Sequence, residues 1–415
     1  MNFLNLYFAI SIFLISYRHY KNIFNPLGVF CTLWLGIIFL YNLKLSYLLP
    51  NLSASTYLAV YLSIISFILG CLLLTRRTYQ FAPQRSPAEE DNVKKLFFLY
   101  SLFLAMSVID IFWATPPFLA ENKLATYLSP GGTGATFLHM ASAMLPVSYA
   151  LIFMSSRINK FIKMILFIPP FVMLAFWMQR GNILVFLMML IVIYFGRLPI
   201  KKIMMQITVL FIGIAVILHV LGSLRSTSSF QGYSYINNIS ELKRPLPAPL
   251  TWLYIYPTTS LANFGRVMNN KNIEYRYGLD LVRPLFSMLQ LDSLIYQLYP
   301  KESEVQNISI RDRGDFDVVA GFNVPSYLYF CYKNFSYFGF FLIPFLMGLV
   351  SQFLFNRYFD AGPIGIALYS IWVSYLFMTF HDFLLWNSVI IFSFILVMIA
   401  QKRLISLANW NSVGK

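Results

Sequence analysis

Charge is scarce in this chain: Asp, Glu, Lys and Arg make up 11% of its 415 residues, against about 25% in soluble domains. Too little polar surface remains to wrap a soluble fold of this size. Cysteine is scarce too. Of the three cysteines, Cys31 and Cys71 fall inside apolar runs and Cys331 lies near another, with no metal-type spacing and no disulfide framework. They read as small core residues. Signature motifs are missing as well: there is no nucleotide-binding motif, no His-Glu-x-x-His and no Cys-x-x-Cys. Soluble-type metal or ATP chemistry therefore has no support, and no cofactor is expected. Strict alternation of apolar and polar residues is absent from stretches such as Ile203–Gly222, which excludes a barrel of ~10-residue lipid-facing strands.

Apolar residues are what the chain has in excess, at 58%. They recur in runs long enough to cross a ~30 Å hydrocarbon core. Backbone amides in lipid must be satisfied within the element, so these runs are expected to be helices. Eleven spans are predicted, near 3–17, 26–43, 55–75, 96–114, 135–155, 162–179, 181–196, 203–222, 335–356, 361–379 and 383–400. The first, Phe3–Ser16, has no basic region before it and no small-residue cleavage site after it, so it reads as a retained membrane helix and not a signal peptide. The expected fold class is an all-α polytopic integral membrane protein of about 11 helices (11–13 at the limits). It divides into an N-terminal bundle over 1–222, a large loop over 223–323 and C-terminal helices over 324–415.

Positive charge collects in short cytoplasmic loops. Here every second connection is basic: Arg18 and Lys21; Arg76, Arg77, Arg85, Lys94 and Lys95; Arg157, Lys160 and Lys163; Arg197, Lys201 and Lys202; Arg357; Lys402 and Arg403. The short connections between them are nearly bare, with Lys44, Lys123 and Arg180. This alternation places the N-terminus outside and the C-terminus in the cytoplasm. The linker Tyr79–Lys95 carries Pro83, Pro87 and Glu89–Asp91 and no active-site pattern. No internal repeat or pair of broken helices of the transporter kind is visible.

The long segment Ser223–Asn323 falls on the outer side, and loops of this length without a task are uncommon. It carries Arg225, Lys243, Arg244, Arg266, Lys271, Arg276, Arg283, Lys301, Arg311 and Arg313, interleaved with Tyr233, Tyr235, Trp252, Tyr254, Tyr256, Tyr275 and Tyr277. Arginine forks match phosphate oxygens bidentately, and aromatic rings beside polar groups suit sugar faces. The plainer alternative is pairing with the loop's own acids, among them Glu241, Glu274, Asp280, Asp312, Asp315 and Asp317. Two half-apolar segments, 250–264 and 281–298, fit either interfacial helices or a further pair of spans.

Ionisable residues inside spans are costly and face a cavity or a partner. By the predicted topology, Asp110, His139, Arg180, His219 and the pair His381-Asp382 lie on different spans at similar outward depth. That arrangement suits a cavity opening outward. Each also has a plainer reading: Asp382 as a helix N-cap, Arg180 reaching toward lipid headgroups, His139 and His219 as interfacial residues, and Asp110 paired with a buried arginine.

The layout and several stretches resemble the bacterial O-antigen and capsule repeat-unit polymerases of the Wzy type. The stretches are Asn25-Pro26-Leu27 opening the second span with Thr32–Asn42 after it, Gln179-Arg180-Gly181 at a mid-chain junction, the large outer loop, and Asn323-Val324-Pro325-Ser326 leading to Tyr337-Phe338-Gly339 and Gly348. The resemblance covers nearly the whole chain in layout. It implies a GT-C-like membrane glycosyltransferase in the bacterial inner membrane. Donor and acceptor are both undecaprenyl-diphosphate-linked glycans, and a chain-length regulator is an implied partner. No nucleic acid, metal or nucleotide enters. The related O-antigen ligases rely on a histidine in the outer loop, and Ser223–Asn323 has none.

The reaction so implied transfers glycan to the acceptor's terminal hydroxyl while lipid diphosphate departs. It needs cations on the diphosphate and a base for the hydroxyl. The candidates for the diphosphate are Arg180, Arg225 and Arg266, with Arg276 and Arg283 in reserve, chosen for nearness to span ends. The candidates for the base are Asp280, His219, His381 and Asp382. A ligase, a flippase for lipid-linked sugar and a non-catalytic membrane subunit are the competing functions. A flippase predicts charges lining a path through the whole membrane.

Overall fold

The computed structural model describes residues 2–76, 79, 92–114, 133–155, 157–177, 180–196, 213, 216, 239–269, 275–288, 291, 318, 326–360, 362–382 and 388–398. Most of these residues are helical, and no strand occurs among them. In chain order the helices are α1 (Asn2–Tyr20), α2 (Pro26–Asn42), α3 (Ala54–Leu74), α4 (Asn92–Ala114), α5 (Thr133–Ser142), α6 (Leu145–Met154), α7 (Lys160–Phe176), α8 (Arg180–Phe195), α9 (Ala248–Asn269), α10 (Leu279–Met288), α11 (Ser326–Phe335), α12 (Gly339–Asp360) and α13 (Gly362–Phe377). A last helix, α14, covers Ser388–Met398. Ala54–Leu74, Val93–Trp113 and Ser326–Asp360 are long and apolar enough to cross a membrane, and shorter apolar helices accompany them. An all-α membrane protein is the class this fits.

Local chemistry sets the helix starts. Asn25 caps α2, its Oδ1 accepting from Gly28 N–H at 2.7 Å, and Pro26 occupies the first turn, where no backbone donor is needed. Ser53 and Asn159 cap α3 and α7 in the same way.

The described residues group into two compact units, each drawing on early and late parts of the chain. The first comprises Met1–Tyr79, Ile200–Phe355 and Tyr375–Ser388; the second comprises Gln80–Pro199, Asn356–Ser374 and Val389–Lys415. In the first unit α1 packs along α2. Phe30 of α2 stacks on Phe67 of α3 at 4.0 Å between ring centroids, and Trp34 meets Tyr327 of α11 at 5.1 Å. Trp34 Nε1 donates to Thr379 Oγ1 at 3.2 Å. Tyr20 and Tyr79 both reach Gln352, fully buried in α12. All three cysteines are buried and free, as expected of core residues.

The segment Ser240–Lys243 is clasped to the connection between α2 and α3. Tyr47 N–H donates to the Glu241 carbonyl at 3.1 Å, Lys243 N–H to the Leu45 carbonyl at 2.7 Å, and Ser46 Oγ to the Ser240 carbonyl at 2.6 Å. Helix α9 then lies across the helix ends at this side of the unit. Tyr254 Oη accepts from Leu45 N–H at 2.9 Å, Gly265 packs on Leu52 and Thr56 at the start of α3, and Phe264 meets Phe340 at the start of α12. Helix α9 also meets α11 and the 3₁₀ turn Met378–Phe380, and most of its residues are buried.

In the second unit Tyr149 of α6 packs edge-on against Phe167 of α7 and Phe186 of α8. The predicted fifth span, 135–155, is broken into α5 and α6 at Ala143-Met144. Pro146 in the first turn of α6 is the reason: it has no N–H to bond back, and its ring would clash with the carbonyl of Ser142 in an unbroken helix. The predicted ninth span, 335–356, begins earlier, because α11 continues into α12 through a 3₁₀ turn at Ser336–Phe338. The predicted span 203–222 lies outside the described residues except for Gly213 and Val216, both helical.

Candidate functional site

The break in the fifth span builds a polar site in the second unit. It ends α5 just after His139 and Ser142, so both sit in the last turn of that helix, facing α4. Asp110, one turn from the end of α4, is fully buried. Its Oδ2 lies 3.1 Å from His139 Nδ1 and 2.9 Å from Ser142 Oγ. Ser142 Oγ is also 2.8 Å from the His139 carbonyl, so its single proton serves one or the other. Asp110 Oδ1 is buried with no hydrogen-bond partner among the described residues. If Asp110 is ionised it can only accept, which puts the shared proton on His139 Nδ1.

The His139 ring packs edge-on against Trp177 at 4.4 Å. Trp177 closes α7, and α8 begins three residues later at Arg180. Asp110, His139 and the end of α7 therefore meet at one end of this unit. The Arg180 side chain lies outside the described residues, but its backbone opens α8, where helix N–H groups lack intrahelical partners and suit an anion. Asp110 thus pairs with a histidine and a serine, where an arginine was the expected structural partner. The signal that would have found His139 was already in the sequence: both residues fall at the same end of neighbouring predicted spans.

The first unit holds most of the other predicted residues. Arg276 and Asp280 are brought together, with Arg276 Nη1 donating to Asp280 Oδ1 at 2.8 Å. Asp280 Oδ2 accepts from Asn334 Nδ2 at 3.1 Å, and Arg276 N–H donates to the Lys333 carbonyl at 2.8 Å. A turn with Tyr277 and Gly278 at positive φ of 47° and 87° leads into α10. Both carboxylate oxygens of Asp280 are thus engaged in fastening α10 to α11, with side-chain exposures of only 10% for Arg276 and 17% for Asp280. We expect Asp280→Ala to lower stability by about 2 kcal/mol, the scale of leaving a partly buried donor unmet. Thermal unfolding in detergent checks this, and activity per folded molecule should stay within twofold. A hundredfold loss of turnover at unchanged stability would return Asp280 to the role of base.

Arg266 is exposed in the last turn of α9, and Arg283 is half-buried on α10. His381 and Asp382 are half-buried at the end of a 3₁₀ turn, Met378–Phe380, and the His381 ring lies nearly parallel to Tyr256 of α9 at 5.7 Å. The residues that follow Asp382 are outside the described set, so its capping role is not visible. His219 and Arg225 also lie outside the described residues. At the α2–α3 connection Lys44 lies over the Tyr41 ring at 4.2 Å, bonds the Leu49 carbonyl at 3.3 Å and contacts that of Pro50. Burial, then the neighbouring Lys243, hold its ammonium below the ordinary lysine range. No group of three or more metal-ligating side chains occurs among the described residues.

No protein-family model, no curated protein and no solved structure matches the chain.

Proposed function

We propose that this protein is a membrane glycosyltransferase that polymerises undecaprenyl-diphosphate-linked oligosaccharide units at the outer face of the bacterial inner membrane, producing O-antigen or capsular polysaccharide. In this reading eleven spans form a GT-C-like frame, with the N-terminus periplasmic and the C-terminus cytoplasmic. Donor and acceptor are both lipid-linked glycans, and arginines receive the departing diphosphate.

The observation that carries the reading is the meeting of Asp110 and His139 with Trp177 at the end of α7, three residues before Arg180 opens α8. It brings a proton-handling pair and an anion-suited helix start to one end of an apolar helical unit. The clasp between Ser240–Lys243 and the α2–α3 connection supports it independently. Charge alternation assigns both segments to the same side, and their contact agrees with that assignment.

Deleting the gene is the test. Surface glycan should then consist of single repeat units on the acceptor, seen as collapse of the polymer ladder to one band. Complete loss of attached glycan would point instead to a flippase or ligase and would overturn the reading.

A further inference from the structure

Asp110 is a carboxylate with no exposure to solvent, one oxygen of which meets no hydrogen-bond donor among the described residues. Burying a carboxylate in this way is expensive unless a cation stands beside it. The group placed there, His139, carries charge only when protonated. Its side chain is 36% exposed, so the pair joins a buried carboxylate to a ring that is partly open. Resting on the polymerase reading, we propose that His139 is the base that takes the acceptor hydroxyl's proton, and that Asp110 is its positioning residue.

The geometry fits the task. Asp110 accepts from Nδ1, which leaves Nε2 as the basic nitrogen of the neutral ring. As the acceptor oxygen bonds to the donor's anomeric carbon, its proton passes to His139 Nε2. The anomeric C–O bond breaks, and its electron pair leaves with the lipid diphosphate. The imidazolium that results lies against Asp110 and within the last turn of α5, both of which stabilise it. It returns to neutral by releasing the proton to water. Ser142 and Trp177 hold the two partners from the other sides: Ser142 Oγ bonds the same carboxylate oxygen, and Trp177 fixes the ring plane. Asp280 is less suited to this role, because Arg276 and Asn334 occupy both of its oxygens.

The experiment uses the full chain in nanodiscs, with lipid-linked repeat units extracted from a strain lacking this protein as donor and acceptor. His139→Asn keeps an amide donor toward Asp110 but has no basic nitrogen. It should lower kcat by at least about a hundredfold with KM changed less than threefold. Asp110→Asn should lower kcat by at least about tenfold, since a neutral amide no longer stabilises the imidazolium. His139→Gln repeats the first measurement if His139→Asn does not fold. A direct readout comes from ¹³C-labelled histidine: the chain has four, and the resonance lost in His139→Asn should shift in Asp110→Asn. Wild-type protein that polymerises while both His139 variants stay within fivefold of it overturns this assignment alone. So does a His139 resonance unmoved by Asp110→Asn. Wild-type protein that makes no polymer overturns the function, and this assignment with it.

Discussion

Gly348→Leu should leave little folded protein, with a loss of at least about 3 kcal/mol, at or beyond the top of the range for overpacking a core. The reason is a crossing of α3 and α12 so close that backbone meets backbone. A Cβ on Gly348 would fall on the Phe67 carbonyl oxygen, with Cys71 N at 3.0 Å. A Cβ on Gly70 would fall on the Phe345 carbonyl oxygen, with Leu349 N at 3.0 Å. Cys71 Sγ donates to the Gly348 carbonyl at 3.4 Å across the same contact. A crowded side chain can change rotamer, whereas a backbone carbonyl within a helix has nowhere to go. Apolar surface alone does not drive helices together in lipid, so close approach at small residues has outsized weight there. Displacing α12 would also disturb the Phe30–Phe67 stack beside the crossing. Gly36 supplies the control: nothing lies within 4 Å of a Cβ placed on it, and Gly36→Leu should change stability by less than about 1 kcal/mol. Thermal unfolding of the two variants in the same detergent decides the matter. A Gly348→Leu protein as stable as Gly36→Leu would mean that the helices do not cross in this way.

Arg180→Ala should abolish polymer in cells at an unchanged level of protein, a loss of about 10²–10³-fold in rate. The start of α8 offers backbone N–H groups with no intrahelical partner, and the helix dipole adds partial positive charge at the same point. In the proposed reaction, the guanidinium of Arg180 would add charge for a diphosphate as it separates from the sugar, when its charge is greatest. Arg180→Lys should recover little of the activity, because an ammonium lacks the two-pronged fork that matches phosphate oxygens. Arg225→Ala is expected to behave in the same way. Polymer ladders of wild-type length from Arg180→Ala would remove this residue from the site while leaving the function itself untouched. Taken with the His139 variants, that pattern would separate two proposed tasks: Arg180 serving the leaving group and His139 the nucleophile.

The helical class and the positions of most helices are legible in the sequence, because lipid imposes a simple rule. Every backbone amide must be satisfied within its own element, so an apolar run declares a helix and its length. Starts such as Asn25-Pro26 are equally legible, since a cap acts on donors two or three residues away. Even the break in the fifth span had its sign in Pro146. Partners are another matter. Hydropathy showed that Asp110 was out of place, and charge alternation showed that His139 lay at the same depth, but depth is one coordinate. Which of several polar groups at that depth touches Asp110 depends on how α4 and α5 rotate about their axes. That in turn depends on packing spread over many residues. Asp280 shows the same limit. Its four-residue spacing from Arg276 was visible, yet the third partner, Asn334, is fifty-four positions away.

The sequence by itself thus determined that the chain is helical, that its apolar runs suit a membrane, and where its cations gather, all consequences of composition and of interactions reaching no further than one turn. Tertiary structure alone decided that α9 packs on α2, α3 and α11, that α3 and α12 touch through glycine, and that Asp110 rests on His139. These depend on the facing of one helix toward another, which is fixed by shape complementarity summed over distant residues and leaves no local mark in the order of amino acids.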